Sequence, residues 1–272
     1  MKPSFCDENV CLLCDSVYLL NSASRILIVA PSLSKESCFV HMRLVEVESL
    51  RKKFVAPDGS DQTVVDVGQF TLGSGQQIAL EGGSGSGKTT FLNLIAGILQ
   101  ADSGRISIDG SEMSSLSESR RDELRAQKIG YIFQTFNLLQ GFTALENVVL
   151  GMAFGNGVDE KHALELLDRV GLGNRANYRP RQLSVGQQQR VAVARALANR
   201  PLVVLADEPT GNLDSRSAFE SLDLIREVCR ENETALLLVS HDQRILEKFD
   251  TVTKFEDINR VSNPDLSAEH AF

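Results

Sequence analysis

Residues 82–90 read Gly-Gly-Ser-Gly-Ser-Gly-Lys-Thr-Thr, a glycine-rich loop that ends in a lysine and two threonines. Glycines allow successive backbone N–H groups to curl around an anion, and the start of a helix adds the positive end of its dipole. Lys88 would then reach the β- and γ-phosphates of a nucleoside triphosphate, and the Thr89 hydroxyl would hold Mg²⁺. We therefore predict that the whole loop binds nucleotide: Gly82, Gly83, Ser84, Gly85, Ser86, Gly87, Lys88, Thr89 and Thr90.

The residues on either side of this loop favour a phosphate site over a serine–glycine turn with a chance lysine. Residues 77–80 are an apolar stretch that predicts a strand, and residues 91–95 predict a helix. Strand, glycine loop and helix in this order are the context that a phosphate loop requires.

Two carboxylates follow a continuous apolar run at residues 202–206. Such a run predicts a strand that is buried on both faces of a parallel sheet. Ligands of an open α/β sheet bind beyond the carboxyl ends of its strands, so Asp207 would bind Mg²⁺ through water and Glu208 would polarise an attacking water. The alternative is a pair of solvated acids at a strand end.

A second anion-binding helix start is predicted at residues 183–187, Leu-Ser-Val-Gly-Gln, where a serine and a glycine precede a helical pattern. The chain thus has two such helix starts and one phosphate loop. In this order, the motifs resemble those of the ATP-binding cassette (ABC) transporter family, whose signature Leu-Ser-Gly-Gly-Gln is matched here with Val185 in place of the first glycine. The resemblance covers about residues 42–260.

The resemblance implies ATP and Mg²⁺ as ligands and a head-to-tail homodimer that encloses two ATP molecules. Ser184, Gly186 and Gln187 of one chain would complete the ATP site of the other chain. The implied activity is ATP hydrolysis coupled to transport, with Glu208 as the base and Lys88 stabilising charge together with Mg²⁺.

Four further residues take roles from the same resemblance. Phe54 would stack on adenine, the alternative being a core phenylalanine. Gln134, after the predicted strand 129–133, would contact Mg²⁺ and the attacking water. Asp214 lies in the dimer-contact loop 211–214 and is assigned to the nucleotide site, and His241 would position the γ-phosphate.

Four stretches resemble one bacterial branch of this family, which includes macrolide-efflux, lipoprotein-releasing and cell-division cassettes. They are residues 131–139, 143–148, 186–197 and 206–214. That branch implies an integral membrane permease as partner and a cytoplasmic location on the inner face of the cell membrane. The usual proline at the permease-facing surface is replaced by Gln140-Gly141. Two functions stay open: an ATPase subunit for export or lipoprotein release, and a regulatory cassette of an envelope-remodelling division complex without transported substrate.

The composition of the chain is typical of a globular protein. Of the 272 residues, 42% are hydrophobic and 24% are charged, and the net charge of −8 argues against nucleic acid as a partner. The longest apolar runs have strand length and are well short of the ~20 residues of a membrane helix. Four of the five cysteines lie within the first 38 residues in a pattern that predicts reduced thiols, not disulfides.

The predicted fold is an α/β P-loop NTPase core with a mostly parallel sheet, an antiparallel β layer at the N-terminal side and an inserted helical subdomain. The nucleotide-binding domain would span residues 42–262, with the helical subdomain at about 135–200 and helices at 159–170 and 186–198. We expect residues 1–41 to be a disordered extension or to follow from too early a start codon, and residues 263–272 to be a polar tail.

Overall fold

A computed structural model describes residues 43–261 and the backbone of residues 10–13, 16–19 and 28–29. The chain divides into two compact units, Met1–His41 and Met42–Phe272. In the first unit, an antiparallel sheet contains β1 (Val10–Leu13), β2 (Ser16–Leu19) and β3 (Ile28–Val29). Apart from these three strands, the predicted extension over residues 1–41 lies outside the described residues. The same is true of the side chains of the predicted reduced thiols near the N-terminus and of the predicted tail at 263–272.

The second unit contains both strands and helices. Its strands are β4 (Arg43–Val55), β5 (Asp61–Gly73), β6 (Gln77–Glu81), β7 (Ser103–Ile108), β8 (Ser111–Glu112), β9 (Ile129–Ile132), β10 (Val203–Asp207), β11 (Ala235–Ser240) and β12 (Val252–Lys254). Its α-helices are α1 (Lys88–Ile95), α2 (Glu118–Lys128), α3 (Ala144–Ala153), α4 (Glu160–Arg169), α5 (Val185–Leu197), α6 (Ser215–Glu231), α7 (Gln243–Leu246) and α8 (Phe255–Ile258).

An antiparallel sheet in the order β5-β4-β7-β8 forms one layer of this unit. Residues of β4 alternate between the core and solvent, as Val45 and Val47 are buried whereas Glu48 is exposed. This alternation is what a strand with one buried face requires. The loop between β4 and β5 turns at Gly59, whose φ of 83° lies in the left-handed region. The antiparallel β layer predicted at the N-terminal side is thereby confirmed.

A parallel sheet in the order β12-β6-β11-β10-β9 forms the central layer. Successive residues of β10 enter two different hydrophobic clusters. Val203 and Leu205 pack on the side of α1 and the antiparallel sheet, whereas Val204 and Ala206 pack on the side of helices α3 to α6. Because both faces are covered, every residue of β10 is buried, which confirms the strand predicted from the apolar run.

Helices α3, α4 and α5 pack against one another between β9 and β10 in the chain. Helix α4 begins after its cap Asp159, and helix α5 begins one residue before the predicted start. Helix α3 begins at a capping box, in which Thr143 and Glu146 each bond the other's backbone N–H. No helix in the part of the chain that the structure describes is long and apolar enough to cross a membrane. The predicted α/β class, with a parallel sheet, an antiparallel sheet and helices, is confirmed.

Candidate active site

The glycine loop connects the end of β6 to the start of α1. Gly87, the residue before the helix, has φ of 100°, and a Cβ atom there would lie 2.8 Å from the carbonyl oxygen of Val64. Only glycine fits this conformation and this close approach. No side chain caps the N-terminus of α1. The first backbone N–H groups of the helix are therefore available to an anion, and these residues fit a phosphate group.

Lys88 folds back over the loop. Its side chain is buried, with 5% of the residue exposed, and Nζ donates to the Gly83 carbonyl at 2.5 Å and lies 3.4 Å from Ser86 Oγ. Burial lowers the pKa of Lys88, although the carboxylates of Glu208 and Asp207 act in the opposite direction. The ammonium group thus lies against the loop and uses loop oxygens as acceptors.

Thr89 and Asp207 meet across the end of the parallel sheet. Thr89 Oγ1 donates to Asp207 Oδ1 at 3.1 Å, and Asp207 is 8% exposed. Burial raises the pKa of Asp207, which the hydrogen bond from Thr89 opposes. Mg²⁺ commonly takes one or two protein oxygens and completes its shell with water and substrate phosphates. A hydroxyl and a carboxylate beside a phosphate loop fit that requirement.

Glu208 continues from Asp207 with a backbone that turns sharply. Its φ of 43° lies in the left-handed region, which is uncommon for a residue with a side chain and often marks a functional site. Glu208 Oε1 lies 2.9 Å from Nδ1 of His241, which directly follows β11. The predicted base and the predicted γ-phosphate contact thus form a pair at the ends of neighbouring strands.

Gln134 follows β9 by two residues, and its carbonyl accepts a hydrogen bond from Asn212 Nδ2 at 2.6 Å. A Cβ atom at Gly211 would lie 3.3 Å from Gln134 Nε2 and 3.7 Å from Glu208 Oε2. The side chains of Gln134 and Glu208 therefore approach the same glycine. Parallel strands end at one edge of the sheet, which is why residues so distant in sequence meet here.

Phe54 lies in β4 and is 41% exposed, with Lys52 Nζ 5.6 Å from its ring centre. The alternative of a core phenylalanine is therefore wrong. Its strand pairs with β5, and β5 carries Val64, the residue that approaches Gly87. An exposed ring in this hairpin is available for stacking on a base.

Ser184 caps helix α5 through a capping box with Gln187. Gln187 N donates to Ser184 Oγ at 3.3 Å, and Gln187 Oε1 accepts from Ser184 N at 3.0 Å and from Arg175 at 3.1 Å. Val185 is the first helical residue and is 49% exposed, so the valine meets no steric obstacle there. Ser184, Gly186 and Gln187 line a cavity of about 320 Å³ to which no residue of the 82–90 loop contributes.

Asp214 is the cap of helix α6. Its carboxylate accepts hydrogen bonds from the backbone N–H groups of Arg216 and Ser217, both at 3.1 Å, and from Ser217 Oγ at 2.6 Å. These bonds hold the pKa of Asp214 below its ordinary value. Its contact with nucleotide stays a prediction.

Sequence reasoning missed three charged residues beside the loop. Glu81, Lys254 and Glu256 line a cavity of about 220 Å³ together with Gly82, Gly83 and His241. Lys254 reaches this position because β12 pairs in parallel with β6, with Lys254 opposite Glu81. No local sequence motif predicts such a pairing between segments so far apart in the chain.

Comparisons with known proteins point to one family. The ABC transporter family model matches residues 65–211. The chain is similar to the ATP-binding cassette MJ0796 in a dimeric post-hydrolysis state bound to ADP and phosphate, at 34% identity over 78% of this chain and 94% of that chain, with a TM-score of 0.71. A dimeric structure of MJ0796 as a bacterial ABC transporter cassette gives the same values.

A further solved structure is cbiO1 from Clostridium perfringens, part of the ABC transporter complex cbiONQ. It is 29% identical to this chain over 78% of this chain and 84% of its own length, with a TM-score of 0.68.

Proposed function

Because this chain belongs to the ABC transporter family and carries that family's ATPase cassette, we propose that it is the ATP-hydrolysing subunit of a membrane transporter. The observation that carries the proposal is the convergence of the predicted catalytic side chains at one edge of the parallel sheet. Thr89 contacts Asp207, and Glu208 contacts His241. Gln134 and Glu208 both approach Gly211.

In the proposed reaction, Glu208 is the general base for attack of water on the γ-phosphorus of ATP. His241 engages Oε1, so Oε2 would accept the proton of the water as the new oxygen–phosphorus bond forms and the bond to the β-phosphate oxygen breaks. Phosphate oxygens would replace the Gly83 carbonyl and the Ser86 hydroxyl as acceptors for Lys88. When bound, Mg²⁺ would neutralise phosphate charge, and Thr89, Asp207 and Gln134 are the residues that would hold it.

Completion of the site by a second chain is the next part of the proposal. The cavity beside the 82–90 loop and the cavity at the Ser184 end of α5 have no lining residue in common. In a head-to-tail homodimer, Ser184 and Gly186 of one chain would meet the nucleotide held by the loop of the other, with Gln187 and Asp214 nearby. The dimeric structures of MJ0796 support dimerisation.

We further propose an integral membrane permease as partner, which implies a cytoplasmic location at the inner face of the cell membrane. The similarity to cbiO1, part of a transporter complex, supports such a partner. A cavity of about 510 Å³ lined by Gln140, Gly141, Arg179 and Arg181 offers a surface for it. Leu139, Phe142 and Tyr178 are exposed apolar side chains within a few residues of that lining.

Export or lipoprotein release is the first candidate role, and regulation of an envelope-remodelling division complex is the second. Both rest on the stretches 131–139 and 206–214, which resemble the branch that contains such cassettes. Copurification from detergent-solubilised membranes, followed by reconstitution of the complex, separates them. Transport predicts that ATP hydrolysis rises when a macrolide or a lipoprotein is added, whereas the division role predicts no response. Recovery of the chain without any integral membrane protein would contradict both.

A further inference from the structure

The guanidinium of Arg195, near the end of helix α5, contacts the loop that follows Gln134. Nη2 donates to the Phe136 carbonyl and Nη1 donates to the Asn137 carbonyl, both at 2.6 Å. No carboxylate of residues 43–261 lies within ion-pair distance of Arg195, and burial lowers the pKa of its guanidinium. Removing such a charge from water without a counter-ion is costly, so its contacts call for a reason.

The loop that Arg195 contacts has an unusual backbone. Phe136 and Asn137 are consecutive non-glycine residues with φ of 54° and 49°, both in the left-handed region. Such conformations are costly and persist when surrounding contacts over-determine them. The two hydrogen bonds from one planar guanidinium supply such contacts. At the other end of the loop, Asn212 holds the carbonyl of Gln134.

Helix α5 connects this contact to the predicted anion-binding helix start at Ser184. Ser184 caps its first turn, and Arg195 lies three turns further along the same helix, a rise of about 16 Å at 1.5 Å per residue. The helix is also closely packed at this point. A Cβ atom at Gly151 of α3 would lie 3.1 Å from Arg195 Cγ, so the arginine stem fits because residue 151 is a glycine.

We propose that Arg195 is a positioning residue that holds the Gln134 loop in its reactive geometry and ties that loop to helix α5. This inference rests on the proposed function, in which Gln134 contacts the attacking water and Ser184 contacts the nucleotide of the partner subunit. One helix then carries Ser184 at its start and, through hydrogen bonds to Phe136 and Asn137, holds the loop that follows Gln134.

Arg195→Lys tests the proposal because an ammonium group does not reproduce the planar pair of donors. In the full-length chain, we expect kcat to fall about tenfold to a hundredfold, as for a small misplacement of a reacting group. ATP affinity should be unchanged, since Lys88, Thr89 and Phe54 are untouched. Arg226→Lys is the matched control, because Arg226 also donates to a backbone carbonyl, that of Lys248, and lies outside the site.

A double-mutant cycle with Gln134→Ala distinguishes positioning from a merely structural role. If Arg195 acts through Gln134, Arg195→Lys lowers kcat in the parent and has no further effect in the Gln134→Ala background. Equal fold-losses in both backgrounds overturn the inference while the proposed function stands. If Gln134→Ala leaves kcat unchanged, the proposed role of Gln134 fails and the inference fails with it.

A readout independent of activity is hydrogen exchange at residues 135–137 in the nucleotide-free protein. Arg195→Lys should accelerate exchange there and leave α1 unaffected, and unchanged exchange would contradict the proposal. Should Arg195→Lys not fold, Gly151→Ala disturbs the same side chain from helix α3. It should lower kcat in the parent but not in the Gln134→Ala background, and a parent-like kcat would overturn the proposal.

Discussion

Nδ1 of His241 lies 2.9 Å from Oε1 of Glu208, and the two residues follow neighbouring strands of the parallel sheet. His241 is the more exposed partner, with 61% of its side chain accessible against 18% for Glu208. The contact holds one oxygen of Glu208 and leaves the other for a water molecule. The proposed base is thus oriented by a residue from the adjacent strand.

Glu208→Gln removes the proposed base while keeping the size of the side chain. We expect kcat to fall by at least about a hundredfold, with ATP still bound, because an amide does not accept the proton of the attacking water. Steady-state hydrolysis by the purified chain measures this. Glu233→Gln is a suitable control, because Glu233 is exposed and also has a left-handed backbone, with φ of 53°. Hydrolysis by Glu208→Gln at the parent rate would remove Glu208 as the base.

His241→Ala should lower kcat about tenfold to a hundredfold, because Glu208 loses the contact that orients it. KM for ATP should change much less than kcat, since the phosphate loop and Phe54 remain. In a Glu208→Gln background, the same change should have little further effect. An unchanged kcat in the single variant would show that the 2.9 Å contact does not serve the reaction.

Ser184→Arg should abolish hydrolysis and leave ATP binding to the single chain intact, because Ser184 would serve the site of the partner subunit. Equilibrium binding of ATP to the dilute protein and steady-state hydrolysis measure the two effects separately. Ser117→Arg is the control for an arginine at a helix start, since Ser117 occupies the N-cap position of helix α2 and is exposed. Loss of ATP binding in Ser184→Arg would argue against a site shared between chains.

Asp207→Asn should stabilise the nucleotide-free protein and abolish hydrolysis. Burial raises the pKa of Asp207, so the ionised carboxylate destabilises the folded chain at neutral pH. The amide keeps an acceptor for Thr89 without the charge. We expect the free energy of unfolding to rise by about 1 kcal/mol near pH 7.

The sign of the pH dependence follows from the raised pKa of Asp207. As the pH falls, the parent takes up a proton at Asp207 in the folded state before the unfolded chain does, which relieves the cost. The advantage of Asp207→Asn should therefore shrink toward acid pH in urea unfolding experiments. Asp223→Asn, on an exposed position of α6, controls for the loss of a charge. An advantage that grows toward acid pH would contradict a raised pKa of Asp207 in the folded chain.

Local chemistry explains which parts of the site the sequence predicts. The 82–90 loop, the acids after β10 and the helix start at Ser184 each depend on neighbours in the chain, so their patterns are readable. The capping-box pattern of Thr143 and Glu146 is also a local signal, and it predicts the start of α3.

Other features depend on tertiary structure and leave no local pattern. Lys254 reaches the site only through the parallel pairing of β12 with β6. The left-handed backbone of Glu208 and the contact of Arg195 with the loop after Gln134 likewise arise from packing between distant segments. Asp214 is different, because its role is local: its carboxylate caps α6. The resemblance to the dimer-contact loop did not predict that role.

The most direct test of the shared site is the molecular mass in solution of the Glu208→Gln chain at saturating ATP. If two chains share each site, the protein should be a dimer of the 29.8 kDa chain with ATP and a monomer without it. Adding Ser184→Arg to Glu208→Gln should return the mass to that of a monomer even with ATP bound. A monomer of Glu208→Gln at saturating ATP, or an ATP-dependent dimer that persists with Ser184→Arg, would contradict the claim that two chains complete each nucleotide site.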